Sequence, residues 1–200
     1  MKDIAIFAVV LLSLIGSATM SYAVPITYDF YGKMSGYGKP LEGKEIYFKE
    51  ADFVFSFSSD TDKIGEKKYD EDHSSYYAFL TSGYLTVDGI GFFDMDNDSN
   101  MVALYQPYNE IKLYLEGFEL GLFSEALHQY DLGSALTTSP TKSYVYPFKF
   151  SKGKGETFVA VEDAYLTGFS AEVAPVPEPS TLLLLAGGIT GLFFYRRKKT

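Results

Sequence analysis

An antiparallel all-β domain, a β-sandwich of jelly-roll type, is the fold this sequence predicts. Three observations carry it. Between residues 24 and 175, apolar and polar residues repeatedly alternate with a period of two, the pattern of a strand with one buried face. Clusters of Asn, Asp, Gly, Pro and Ser separate these runs, and such residues favour turns. No segment between them keeps a helical period for more than a turn or two.

The elements follow in chain order. Ile26–Phe30 reads as an opening strand, and Phe53, Phe55 and Phe57 alternate with Val54 and Ser56 in a second. Ser58–Asp62 is a turn cluster. Lys63–Ser75 is the most charged and least patterned stretch, and reads as a mobile loop. Tyr84–Val87 and Ile90–Phe93 flank Asp88-Gly89, a strong two-residue hairpin signal. Asp94–Asn100 is a further turn. Ile111, Leu113 and Leu115 then alternate with Lys112, Tyr114 and Glu116, and Phe123–Tyr130 has room for one or two helical turns. Beyond the Ser139-Pro140 turn, Tyr144, Tyr146, Phe148 and Phe150 alternate with Val145, Pro147 and Lys149. Pro147 cannot donate a ladder hydrogen bond, so it is expected on an edge strand or at a bulge. After a turn at Ser151–Gly155, Thr157–Val161 and Tyr165–Val173 close the set, separated by Glu162-Asp163. The total is about eight to ten strands, enough for a two-sheet jelly roll.

The two ends are different in kind. Lys2, the apolar run Ile4–Ile15 and Ser21-Tyr22-Ala23 have the order of a secretory signal peptide, with cleavage expected between Ala23 and Val24. The apolar run spans only about 18 Å as a helix, against a hydrocarbon core of about 30 Å, which favours cleavage over anchoring. At the other end stand a proline-bounded turn, Val176-Pro177-Glu178-Pro179-Ser180-Thr181, an uncharged apolar segment, Leu182–Tyr195, and the cluster Arg196-Arg197-Lys198-Lys199. The prolines forbid helix before Ser180. The apolar segment makes a membrane helix of about 21 Å, and the basic cluster holds its end in the cytoplasm. The domain plan is therefore 1–23 signal peptide, 24–175 β-sandwich ectodomain and 176–200 sorting segment.

This tail resembles the PEP-CTERM sorting signal of exopolysaccharide-producing Gram-negative bacteria. The resemblance covers 25 residues at the extreme C-terminus, with every part present and in order. It implies that an exosortase, a membrane-embedded cysteine protease or transpeptidase, recognises the tail and cuts near the prolines. It further implies an inner-membrane-anchored precursor with a periplasmic ectodomain, and a mature form at the cell surface or in the matrix. The expected partners are signal peptidase, exosortase and exopolysaccharide, in a biofilm setting.

Composition excludes several classes of activity. The chain has 17 basic and 26 acidic residues, of which 12 and 24 fall within 24–175. So acidic a body repels phosphate backbones, and nucleic acid is excluded as a partner. Without cysteine there is no disulfide, thiolate zinc site or cysteine nucleophile. Of the two histidines, His73 reads as a solvated loop residue beside Glu71 and Asp72, and His128 as a cap or packing group in the short helical segment. No nucleophile elbow, H-E-x-x-H, Walker loop or dinucleotide fingerprint occurs. No catalytic residue is assigned and no cofactor is required.

Two features leave alternatives open. Asp94, Asp96, Asp98 and Asn100 place oxygen ligands at alternate positions, as a calcium loop does. Ser99 and Tyr105 stand where an EF-hand needs glycine and glutamate, so the other reading is a solvated acidic turn. Residues 24–175 also hold 15 Tyr and 14 Phe but no Trp. Aromatics suit strand packing, and exposed tyrosines also suit sugar rings. The resulting reading is a non-enzymatic, exported structural or adhesive protein. The alternatives are a carbohydrate-binding module, with a line of exposed tyrosines on one sheet face, and a glycoside hydrolase, with two facing carboxylates in a cleft.

Overall fold

The computed structural model describes residues 23–40, 43–68, 74–95, 99–115, 117–152 and 157–175. The expected signal and membrane helices lie outside the described residues. Among the described residues no helix is long and apolar enough to cross a membrane.

Among the described residues thirteen strands form two antiparallel sheets. The first sheet contains β1 (Pro25–Lys39), β2 (Ile46–Asp60), β5 (Ser82–Val87), β6 (Gly91–Asp94), β10 (Leu136–Thr138), β12 (Phe148–Lys152) and β13 (Thr157–Val173). Its order is β10-β13-β1-β2-β5-β6, with β12 also pairing with β13. The second sheet contains β3 (Ile64–Lys68), β4 (Ser74–Phe79), β7 (Met101–Tyr105), β8 (Glu110–Leu115), β9 (Phe118–Phe123) and β11 (Lys142–Val145), in the order β11-β9-β8-β7-β4-β3. Hairpins mostly keep consecutive strands in one sheet: β1–β2, β3–β4 and β5–β6 each stay together, as do β7, β8 and β9. A jelly roll alternates strand by strand, and the short turns here hold neighbours in one sheet instead.

One core lies between the sheets. Ile26, Tyr28, Phe30, Phe53, Phe55, Phe57, Leu85 and Phe169 enter from the first sheet, and Val102, Leu104, Ile111, Leu113, Leu120 and Leu122 from the second. Phe55 is its aromatic centre, with ring centroids 5.5 Å from Phe53, 5.7 Å from Phe118 and 5.8 Å from Phe148. Full burial of each such side chain is worth about 1.5–3 kcal/mol relative to exposure.

The opening strand runs well past Phe30. Its inward positions 32, 36 and 38 are glycines, which erase the apolar half of the alternation. They are there because β13 comes so close: a Cβ on Gly32 would strike the Tyr165 carbonyl, and one on Gly36 the Ala160 carbonyl. β13 is continuous where two strands were expected. Glu162 and Thr167 are extra residues against β1, so the polar pair marks a bulge within the strand. A matching irregularity in β2 puts Glu50 at φ 52°, with its N–H donating to Ser35 Oγ at 3.1 Å.

Three further expectations are corrected. Lys63–Ser75 is not a loop throughout: Ile64–Lys68 pairs with Ser74–Phe79, Ile64 packs on the core, and Ser74 Oγ donates to Glu66 at 2.7 Å. The run Tyr144–Phe150 is not one strand. Tyr144 and Val145 belong to the second sheet and Phe148–Phe150 to the first, with Tyr146-Pro147 at the crossing. The Asp88-Gly89 hairpin takes a three-residue loop, because Val87 pairs with Gly91 and Ile90 turns inward to be buried. The Phe123–Tyr130 segment does form a single 3₁₀ turn, Glu125–Leu127, capped by Ser124 Oγ.

Truncating the core should separate the two faces of a strand. Phe55→Ala should cost about 3–5 kcal/mol and Leu113→Ala about 2–5 kcal/mol, whereas Thr86→Ala, outward on β5, should cost no more than about 1 kcal/mol. Urea unfolding of the three variants checks this, and equal losses would contradict the inward assignment.

Candidate functional site

The fold grips the chain immediately inside both processing segments. Val24 N–H donates to Thr61 Oγ1 at 3.0 Å, and Thr61 N–H returns a bond to the Val24 carbonyl at 3.0 Å. Ala23, on the other side of the expected cleavage bond, is exposed. At the other end Ala174 N–H donates to the Pro25 carbonyl at 2.9 Å. The sorting residues Val176, Pro177, Glu178, Pro179 and Ser180 and the basic residues Arg196, Arg197, Lys198 and Lys199 lie outside the described residues.

The acidic loop is only partly described. Asp94 ends β6 on the exposed side, and Asp96 and Asp98 lie outside the described residues. Asn100 is buried, and its Nδ2 donates to the Met95 carbonyl at 2.6 Å, closing the base of the loop. Among the described residues no three acidic or histidine side chains are gathered to hold a metal ion. His73 is likewise outside the described residues. His128 is exposed, and it ends the 3₁₀ turn through its backbone N–H to Glu125 rather than by packing.

The most organised surface is the outward face of the second sheet. On β8, Ile111, Leu113 and Leu115 point into the core, so Glu110, Lys112 and Tyr114 point out. Strand register carries this face across the sheet. One row runs Gly65, Tyr77, Ala103, Lys112, Gly121, Tyr144; its neighbours contain Ser75, Tyr105, Glu110 and Phe123, and Phe79, Met101, Tyr114 and Glu119. Tyr146 adjoins this second neighbour through its N–H, 3.4 Å from the Glu119 carbonyl. The two glycines let rings lie down. The Tyr77 ring covers Gly65, and the Tyr144 hydroxyl would be 2.7 Å from a Cβ on Gly121.

Lys112 is the hub. Its ammonium is 3.5 Å from Glu110 and lies 5.6 Å from the Tyr105 ring centroid and 5.7 Å from that of Tyr144. Tyr144 donates to Glu110 Oε1 at 3.1 Å, and the Tyr105 and Tyr114 hydroxyls are 3.1 Å apart. Burial works against the Lys112 charge, but Tyr144, Glu110 and Glu119 outweigh it and hold the ammonium above its usual range. Burial raises the Tyr144 phenol, and Glu110 raises it further, so it stays protonated. Lys112 thus links Glu110, Tyr105 and Tyr144 into one connected polar and aromatic cluster. Tyr114, Tyr144 and Tyr146 had a visible alternation in the sequence, but their assembly with Tyr77 and Tyr105 depends on strand pairing.

The outward face of the first sheet holds one unusual carboxyl. Asp29 on β1 stands between Ser170 on β13 and Ser56 on β2. Ser56 hydrogen-bonds it, yet Oδ1 is buried without a partner among the described residues. Burial raises its pKa above the usual 3.8, Ser56 opposes the shift, and Glu172 adds to it.

A family model described as the PEP-CTERM protein-sorting motif matches residues 175–199. The match supports an exported protein whose membrane-anchored precursor is processed by exosortase. Neither a curated protein nor a solved structure matches the chain.

The Asp29 environment makes a signed prediction. Folding raises this pKa, so the folded state holds more protons than the unfolded chain as pH rises through 3.8. Stability is lost across that window and the deficit persists above the folded pKa. Asp29→Asn should therefore raise the melting temperature at pH 7, and the gain should vanish below pH 3.8. Melting curves at the two pH values check it; a variant less stable at pH 7 would mean that the charged carboxylate is well solvated.

Proposed function

We propose that the chain is a non-enzymatic surface or matrix protein, structural or adhesive in an exopolysaccharide and biofilm setting, delivered by its C-terminal signal. The observation that carries this reading is the sorting motif at 175–199, attached within two residues to the last strand of a two-sheet body. Signal-peptidase cleavage between Ala23 and Val24 belongs to the same proposal. So does a short membrane helix over 182–195 with Arg196–Lys199 on the cytoplasmic side. The extreme shortness of the spacer supports attachment or release of the body as a unit, with little free chain left after cleavage.

A second reading, a carbohydrate-binding module, is favoured by the ordered aromatic face around Lys112. Calcium at Asp94, Asp96 and Asp98, with Asn100, would belong to that reading as an aid to loop order, the Asn100 Nδ2 bond to the Met95 carbonyl closing the base of the loop. A hydrolase draws less support. Asp29 is the described carboxyl raised by burial, and it stands on an outward sheet face beside two serines.

Processing tests the main reading. Replacing Pro177, Glu178 and Pro179 together by alanine should leave a larger, cell-associated precursor on immunoblots and abolish surface delivery. A variant that matured and reached the surface normally would remove exosortase from the account. Alkaline phosphatase fused after Ala174 should be active, since it needs the oxidising side of the membrane. An inactive fusion would contradict export.

A further inference from the structure

The outward face of the second sheet has the chemistry of a polysaccharide platform. We infer that it binds a neutral pyranose polymer, laid across the strands from Tyr77 to Tyr144 with Lys112 and Glu110 at its centre. This inference rests on the exported, matrix-facing reading above and names the partner and the surface.

Three properties favour a glycan. The rings of Tyr77 and Tyr144 reach over glycines, so both lie along the sheet instead of standing off it. Pyranose C–H faces stack on such surfaces, which are apolar on the ring and wet at the hydroxyl. Those two tyrosines stand four strand spacings apart, roughly 19 Å, which is room for several sugar rings. The third property is the pairing of ring with charge. The Lys112 ammonium sits between the Tyr105 and Tyr144 rings, beside the Glu110 carboxylate. Sugar hydroxyls both donate and accept, so they can satisfy this pair as water does while the ring stacks alongside.

The same centre argues against a protein partner. Protein interfaces are depleted of charge at their core, and burying an ion pair under apolar side chains costs its hydration. Apart from Met101 and Ala103, this face offers no aliphatic anchor at the strand positions in register with Lys112 and Tyr114. Charge selects the class of polymer. The chain carries a net charge of −9, which repels a polyanion at long range, and on the face itself Lys67, Lys112 and Lys142 are met by Glu110 and Glu119, so a neutral polymer is favoured over a strongly charged one. Binding by stacking and short hydrogen bonds should then depend little on salt.

Affinity electrophoresis of the full chain in detergent micelles tests this, with hydroxyethylcellulose, galactomannan, dextran and alginate cast into the gels. At least one neutral polymer should retard migration, equally at low and high salt, and alginate should not. Tyr144→Ala and Tyr105→Ala should each weaken the apparent affinity by about tenfold. Tyr144→Phe should retain most of it, and Tyr31→Ala on the opposite sheet should retain all of it. Melting curves establish that each variant is folded. Where Tyr144→Ala is not, Tyr146→Ala takes its place, since that side chain is 55% exposed. The inference is overturned if no neutral polymer retards the protein, or if retardation survives these substitutions in folded variants. It is also overturned if only alginate binds, or if the substitutions instead dissolve a self-associated form. A protein that is exported and processed but ignores every polymer would sink this inference and leave the sorting account standing.

Discussion

The pairing of the first strand with the last holds this structure together. β1 and β13 run antiparallel from Ile26 opposite Val173 to Lys39 opposite Phe158, so the seam closes only when the whole body has been made. Its closeness is set by Gly32 and Gly36, where any side chain would meet a β13 carbonyl. Two bulges, at Glu162 and Thr167, let the long strand bend over the core without losing its ladder. β2, β10 and β12 join the first sheet through these two strands, and Phe30 and Phe169, paired across the seam, deliver rings 5.0 Å apart to the core.

Aromatic chemistry is divided between inside and outside. Phenylalanine supplies most of the buried rings, because a ring without a polar atom can be buried at no hydrogen-bonding cost. The two buried tyrosines meet that cost explicitly: Tyr28 donates to the Leu132 carbonyl at 2.8 Å and Tyr130 to the Ser134 carbonyl at 3.0 Å. Among the described tyrosines outside the core, Tyr31, Tyr77 and Tyr144 lay their rings on the backbone at Gly168, Gly65 and Gly121. On the second sheet Lys112 lies by the Tyr105 and Tyr144 rings, Tyr144 donates to Glu110, and the Tyr105 and Tyr114 hydroxyls pair.

Export also constrains the seam. One residue, Val24, separates the expected signal cleavage point from β1, and two, Ala174 and Pro175, separate β13 from Val176 of the sorting motif. The bonds from Val24 to Thr61 and from Ala174 to Pro25 fix both ends against the same end of the first sheet. Under the proposed processing, both cuts would fall outside this ladder.

By itself the sequence determined the all-β class, the identity of many core residues and the address. Period-two runs such as Phe53-Phe55-Phe57 and Ile111-Leu113-Leu115 reveal a buried face because alternation is a local property of a pleated strand. The proline-bounded turn, apolar segment and basic cluster are legible for the same reason: they are read as a linear string. Tertiary structure alone decided which strands are neighbours. Glycines at the inward positions of β1 hid most of that strand, and Glu162-Asp163 looked like a break because a bulge exposes polar residues as a turn does. Lys63–Ser75 looked like a loop because its strands are short and lie at a sheet edge, where charge is tolerated. The Lys112 cluster was invisible for a stronger reason. Its members come from β4, β7, β8, β9 and β11, and only the register of hydrogen bonds between those strands brings them onto one face.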